Sequence, residues 1–196
     1  MTNPIQIEGA WRLGWALDVH TTSSIFLGYD QSGRAQFDTT RSALGELVYR
    51  LKYANQPQAA EEIAETMAAF FSDKPVVISR IDLIVPIPPS TTRPVQPVIT
   101  IAEKLAQQLR KPFSENAIRK TKETPTLKNI SDLAQRREVL DSAFEGDRAQ
   151  VNGKGLLLVD DLYRSGATAN AVTLALIAAG ASRVYLIAAT RTRSNA

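Results

Sequence analysis

The chain of 196 residues contains no cysteine, which removes disulfides, thiolate metal sites and a thiol nucleophile together. A single histidine, His20, likewise excludes a multi-histidine metal centre. Long apolar runs are missing too. No stretch approaches the roughly 20 residues that a membrane span requires, and the opening MTNPIQIEGAWRLGWALDVH lacks the basic flank and apolar block of a signal peptide. Nor does one sign of charge dominate: 23 Lys and Arg face 20 Asp and Glu, a formal net charge of +3. The overall balance therefore marks neither a nucleic-acid coat nor a membrane-surface protein. What these absences leave is a soluble, cytoplasmic protein of one domain, or one domain with an appendage, long enough to bury a real core. The chain also has no internal repeat and no low-complexity tract.

Hydrophobic periodicity divides the chain in two. Residues 11 to 40 alternate in short β-like runs, WRLGWALDV, SIFLGYD and GRAQFD, with a turn at Asp30-Gln31-Ser32-Gly33; they predict a small N-terminal hairpin hood over 1–40. From Arg41 the period becomes helical, with Leu44, Leu47, Val48 and Leu51 on one face, then Ile63, Met67 and Phe70 on a second helix that stops at Lys74-Pro75. The apolar strand IDLIVPIP, 81 to 88, precedes a helix over 95 to 109 with Ile99, Ala102, Leu105, Ala106 and Leu109 inward. Residues 119 to 130 show no usable period and read as a mobile loop, and Ser131-Asp132 caps a helix to about Leu140. The strand LLLVD, a helix from Ala167 to Ala179 closed by Gly180 and the strand RVYLIAAT form a β-α-β unit. Apolar strands separated by helices predict an α/β core over 41–196, a mostly parallel sheet flanked by helices. Ligands of such sheets collect at the carboxyl ends of strands.

One of those ends carries the chemistry. GLLLVDDLYRSGATANA, residues 155 to 171, runs from a buried strand into two adjacent carboxylates and then a glycine-containing turn. Gly166 lacks the Cβ that would keep a ligand from the backbone. The first N–H groups of the next helix have no intrahelical acceptor, so Arg164, Ser165, Gly166, Ala167 and Thr168 offer several donors and two hydroxyls to a phosphate. Paired acids beside an anion site would repel a bare phosphate. They suit a ligand with vicinal hydroxyls near its phosphate, such as a ribose 5-phosphate, whose diol Asp160 and Asp161 would grip. Spacing alone also allows another kind of phosphate site or an Asx-type cap without ligand. Adjacent acids can equally hold Mg²⁺, either directly or through a magnesium–substrate complex.

LLLVDDLYRSGAT resembles the phosphoribosyl-pyrophosphate (PRPP) motif of type I phosphoribosyltransferases. LVYRLKY, 47 to 53, IDLIVPIPPSTTR, 81 to 93, and the stretch from Ile118 through REVLDSAF resemble successive blocks of the ComF-like branch of that family. The resemblance covers about residues 41 to 191. Two departures stand out: Tyr163 and Arg164 replace the usual aliphatic and small hydroxyl residues, and the cysteine-rich zinc module common in that branch is absent. The resemblance implies a parallel-sheet fold with a variable hood, PRPP as substrate and Mg²⁺ as cofactor, bound through the substrate with no direct protein ligand assigned beyond Asp160 and Asp161. The reaction it implies is displacement of pyrophosphate at ribose C1 by an acceptor such as a nucleobase, with Asp160 and Asp161 as catalytic residues.

Further segments complete this expectation. Ser90, Thr91, Thr92 and Arg93 follow a strand end and resemble the family's pyrophosphate loop, with Arg93 as a bidentate donor; turn chemistry accounts equally for the prolines beside them. Within a basic run from Arg110 to Arg137, Arg119, Lys120 and Lys122 match a flexible loop that closes over substrate, while Arg136 is a loop-anchoring candidate. Nucleic acid is a less favoured partner, because the run lacks interleaved aromatics for stacking. His20 reads as a packed or surface residue rather than a base. Trp11, Trp15, Phe26 and Tyr29 read chiefly as packing for the hairpin, with an acceptor pocket as the alternative. Apolar positions on the Arg41 to Tyr53 helix could serve a homodimer interface or the core. Besides an enzyme, the sequence allows a PRPP- or nucleotide-binding regulator without turnover, or a ComF-like accessory of nucleic-acid uptake (competence).

Overall fold

A computed structural model describes residues 2–54, 56–91, 96–121 and 143–193. Its centre is a five-stranded sheet built from β1 (Ile5–Gln6), β2 (Leu13–Val19), β5 (Leu83–Pro86), β8 (Gly155–Tyr163) and β9 (Arg183–Arg191), in the order β1-β2-β9-β8-β5. Every pairing is parallel except that of β1 with β2. Parallel strands covered on both faces need apolar residues at every position, and the alternation of side chains then deals them to two cores. On β8 and β9, Leu157, Val159, Tyr185 and Ile187 enter one core, whereas Leu156, Leu158, Val184 and Leu186 enter the other.

Three helices close the first core: α1 (Ala43–Tyr53), α2 (Ala59–Phe70) and α4 (Pro97–Leu109). Leu44, Val48 and Leu51 of α1 are buried there. The apolar face of that helix thus packs inside the chain. On α4 the buried face is Val98, Ile101, Ala102, Leu105 and Ala106, rotated slightly from the expected one, so that Ile99 and Leu109 are half-buried. The short α3 (Pro75–Ile78) leads into β5. On the opposite face lie β6 (Ile118–Lys120) paired with β7 (Phe144–Gly146), α5 (Arg148–Val151) and α6 (Ala167–Ala178). Among the described residues no helix is long and apolar enough to cross a membrane.

The N-terminal segment is divided differently from the expected hood. Leu13–Val19 belongs to the central sheet, parallel to β9, with Gly14 through Asp18 buried. Trp11 and Trp15 are buried in the two cores, and the Trp11 indole N–H donates to the Ile7 carbonyl at 2.9 Å. Only β3 (Thr21–Tyr29) and β4 (Ala35–Arg41) form a separate antiparallel hairpin. The reason is that β2 finds its partner about 170 positions away, a pairing no local pattern announces.

Candidate functional site

β8 is buried from Gly155 to Val159 and becomes half-exposed from Asp160 to Tyr163, so the acid pair sits where the strand leaves the core. Parallel register aligns the neighbouring strand ends: Asp160 lies opposite Ala188, Tyr163 opposite Arg191, and Arg191 opposite Val19 of β2. On the other side the Ile87 N–H donates to the Val159 carbonyl at 2.9 Å. That bond sets the loop after β5 beside Asp160. Ser90 and Thr91 are exposed on this loop, and the Thr91 carbonyl accepts from the Gln96 side-chain amide at 3.1 Å. Thr92 and Arg93, the rest of the expected pyrophosphate loop, lie outside the described residues.

Beyond the acids the chain turns into α6 through Gly166, at φ 74°. A left-handed conformation here favours glycine. A Cβ at this position would also fall on the Tyr163 hydroxyl; the Tyr163 ring is held edge-on against Trp11, with centroids 6.1 Å apart. Among the described residues no side chain caps α6, so the amide hydrogens of its first turn are available to an anion. Asn170 fixes the turn from within: its N–H and side-chain amide both donate to the Gly166 carbonyl, at 2.8 and 3.0 Å, while its Oδ1 accepts from the Ala10 N–H at 2.7 Å. Arg164 and Ser165 are exposed, and Ala167 and Thr168 half-buried.

The acids differ in their surroundings. Asp161 is paired with Lys52 of α1, Nζ to Oδ1 2.7 Å, with both side chains mostly shielded from solvent. Burial, reinforced by the adjacent Asp161 charge and opposed by Lys52, pushes the Asp160 carboxyl up to about 7. Below the ordinary carboxylate range both folded and unfolded chains hold that proton; between it and about pH 7 only the folded chain does. Asp160 therefore withdraws stability as pH rises through this window. Asp160→Asn is expected to raise the melting temperature at pH 8 by about 4–8 °C, half the full linkage once partial solvent screening is allowed for, and the gain should shrink steadily toward pH 4 in calorimetric scans.

Sequence reading missed Lys52, although LVYRLKY contains it, because nothing local says that the last turn of α1 reaches β8. Gly45 makes that approach possible, since a Cβ there would strike the His20 carbonyl. The Ser42 hydroxyl caps α1 at Gly45 N, 2.9 Å, and donates to the Val19 carbonyl, tying the helix to the end of β2. His20 bridges the same strand ends. Thr190 Oγ1 donates to the Asp161 carbonyl at 3.1 Å and lies 3.1 Å from His20 Nδ1, an arrangement satisfied when Nδ1 carries the proton. Burial first, then the Lys52 and Arg41 charges, lower the His20 pKa, keeping the ring neutral and structural. The Arg191 Nε, at this same edge, is buried with no hydrogen-bond partner among the described residues.

Arg119 and Lys120 are not on a loop: they lie on β6, and the Arg119 guanidinium pairs with Glu145 of β7 at 2.8 Å. Lys122, Arg136 and the helix expected after Ser131 lie outside the described residues. Phe26 and Tyr29 do not pack the hairpin against the core; both are exposed.

Breaking the ion pair tests the electrostatics of the site. Lys52→Met leaves Asp161 shielded beside Asp160 with no cation at 2.7 Å, and is expected to cost about 2 kcal/mol. Adding Asp161→Asn should recover most of that loss. Denaturant melts of the four-member cycle measure the coupling.

The fold is α/β, a mostly parallel sheet flanked by helices, and at the carboxyl ends of its parallel strands paired acids precede the glycine turn into α6. The chain matches no protein-family model and no curated protein sequence. Among solved structures it is similar to glutamine phosphoribosylpyrophosphate (PRPP) amidotransferase from B. subtilis complexed with ADP and GMP, with 19% identity, 81% of this chain and 34% of that chain covered, and a TM-score of 0.49. It is also similar to an adenine phosphoribosyltransferase, with 16% identity, 86% and 93% coverage and a TM-score of 0.47. Orotate phosphoribosyltransferase from Aeropyrum pernix gives 14% identity, 83% and 73% coverage and a TM-score of 0.45. The chain spans about a third of the length of the amidotransferase.

Proposed function

We propose that the protein is a PRPP-dependent phosphoribosyltransferase, transferring the ribose 5-phosphate unit to an acceptor such as a nucleobase with release of pyrophosphate. The observation that carries this reading is the passage from the acid pair through Gly166 to the uncapped start of α6. Amide hydrogens of the turn Arg164 to Thr168 would hold the 5′-phosphate, and Asp160 and Asp161 would accept hydrogen bonds from the sugar diol. Two acceptors and a donor cradle, joined by one short turn, fit a ligand whose hydroxyls and phosphate are a few bonds apart. The orphaned Arg191 Nε at the same edge is a further donor for an anionic ligand.

Displacement at C1 passes through an oxocarbenium-like state, and such chemistry rests on positioning and charge rather than covalent participation. In this reading Asp160 and Asp161 would stabilise developing positive charge on the ring. Ser90 and Thr91, on the loop after β5, would bind the leaving group together with Thr92 and Arg93. A pair of adjacent acids suits Mg²⁺ carried in on the substrate's phosphates; Asp160 and Asp161 would hold it through the substrate, and it would supply charge neutralisation for the departing pyrophosphate.

A second reading is a PRPP- or nucleotide-binding regulator without turnover, including a ComF-like uptake accessory. The Lys52–Asp161 pair favours it, since one diol acceptor is already engaged by an internal cation. Pyrophosphate release separates the two. Incubated with PRPP, Mg²⁺ and a panel of nucleobases, the protein is expected to release pyrophosphate with at least one base. Saturable PRPP binding with no release from any acceptor would favour the regulator.

A further inference from the structure

We propose that the Tyr163 hydroxyl donates a hydrogen bond to the 5′-phosphate of the bound sugar and so selects a phosphorylated ligand, an inference that rests on the phosphate-binding reading of the turn at 164–168. Tyr163 stands where the PRPP motif that this stretch resembles carries an aliphatic residue. An aliphatic side chain would fill the same place without bringing a donor. Two contacts fix the position of the ring. It packs at right angles to Trp11, with centroids 6.1 Å apart, and Trp11 is itself buried. Its far end lies on the turn, where the hydroxyl occupies the space that a Cβ on Gly166 would take.

Among the described residues that hydroxyl has no hydrogen-bond partner. Asn170, the polar side chain that fixes the turn, is committed at both ends: Nδ2 donates to the Gly166 carbonyl at 3.0 Å, and Oδ1 accepts from the Ala10 N–H at 2.7 Å. Tyr163 is half-buried. A phenol held between an indole and a glycine loses part of its contact with water, and a hydrogen bond left unmade there destabilises the chain with nothing inside it to compensate. The donor is therefore left for a group that arrives from solvent.

The chemistry of a phenol suits this place. Asp160 and Asp161 precede the turn, and a cation set among them is drawn into an ion pair, as Lys52 is with Asp161 at 2.7 Å. A neutral donor meets an anion without competing for those acids. Burial first, and then the Asp160 charge, raise the Tyr163 pKa above its ordinary value. The proton thus stays on the oxygen across the physiological range, ready for an anionic acceptor. Amides at the start of α6, where no described side chain caps the helix, are further donors at the same turn. A phosphate monoester brings three acceptor oxygens, so amides and phenol can each take a different one. Ribose without its phosphate offers only a neutral hydroxyl at that end, and the contact gains no charge.

Calorimetric titration of the full chain with ribose 5-phosphate and Mg²⁺ is expected to show Tyr163→Phe binding about tenfold or more weaker than the parent. Its melting temperature should be unchanged, since the ring still meets Trp11. Tyrosine isotope-labelled at Cζ gives a second reading on the parent chain itself. The Tyr163 signal, assigned by its loss in the Phe variant, should shift on titration and saturate together with the amides of Ser165, Gly166, Ala167 and Thr168. Equal affinity of variant and parent, or a Cζ signal that stays put while those amides shift, would overturn the proposal and leave the phosphate turn standing. A loss of affinity matched by a loss of thermal stability would overturn it too, because the hydroxyl would then serve the fold. No binding by the parent chain would overturn both.

Discussion

Asp160→Asn/Asp161→Asn is expected to weaken binding of magnesium–PRPP at pH 8 by about 30- to 150-fold while leaving the chain folded. The magnitude follows from the two contacts removed. A hydrogen bond to a charged acceptor contributes about 1.5–3 kcal/mol and one to the amide oxygen that replaces it about 0.5–1.5 kcal/mol, so at pH 8, where Asp160 is ionised, losing both charges removes about 2–3 kcal/mol of binding. Folding should survive because the exchange is nearly isosteric and removes a carboxylate that burial first, and then the adjacent Asp161 charge, disfavour. Lys52 loses a full charge opposite it but retains an amide oxygen within reach of Nζ. Calorimetric titration with PRPP and Mg²⁺ measures the loss; affinity within about threefold of the parent chain would show that the acids do not meet the sugar.

Gly166→Val has the next largest expected effect, and it acts on stability and binding together. At φ 74° a β-branched side chain is a backbone outlier, costing about 1–3 kcal/mol before any contact is counted. Its Cβ would also displace the Tyr163 hydroxyl, and Tyr163 cannot retreat freely because Trp11 stands against its ring. A fall of about 5–10 °C in melting temperature is expected for a chain of this size, together with loss of measurable ribose 5-phosphate binding. Replacement of Tyr163 by a smaller aliphatic residue in the same background should return part of the stability, since it opens the space the new side chain occupies. An unperturbed melt would mean that the turn is not held as described.

The strands IDLIVPIP, LLLVD and RVYLIAAT were legible because a strand buried on both faces needs uninterrupted apolar residues, and each also ends in visible punctuation. The turn at Gly166 was legible for a related reason: a left-handed residue before a helix, with acids behind it, has few sequence solutions. β2 was not. Asp18 and Gly14 interrupt LGWALDV and give it a hairpin look, yet Gly14 is there to admit the Trp11 indole, which a Cβ would strike. Lys52 was hidden in the same way, since α1 announces its buried face through Leu44, Val48 and Leu51 but not which strand end its last turn will meet. The exposed aromatics of β3 looked like core because composition cannot distinguish a side chain that packs within the chain from one left uncovered.

The central claim is that the turn from Arg164 to Thr168 binds a sugar 5′-phosphate while the neighbouring aspartates take its hydroxyls. Titrating ribose 5-phosphate and Mg²⁺ into isotope-labelled protein tests it most directly, with the backbone amides of Ser165, Gly166, Ala167 and Thr168 and the carboxyl carbons of Asp160 and Asp161 as reporters. The account predicts that these resonances shift together and saturate at one ligand concentration. Shifts confined to other parts of the chain, or carboxyl signals unmoved with Asp161 still paired to Lys52 at saturation, would contradict it.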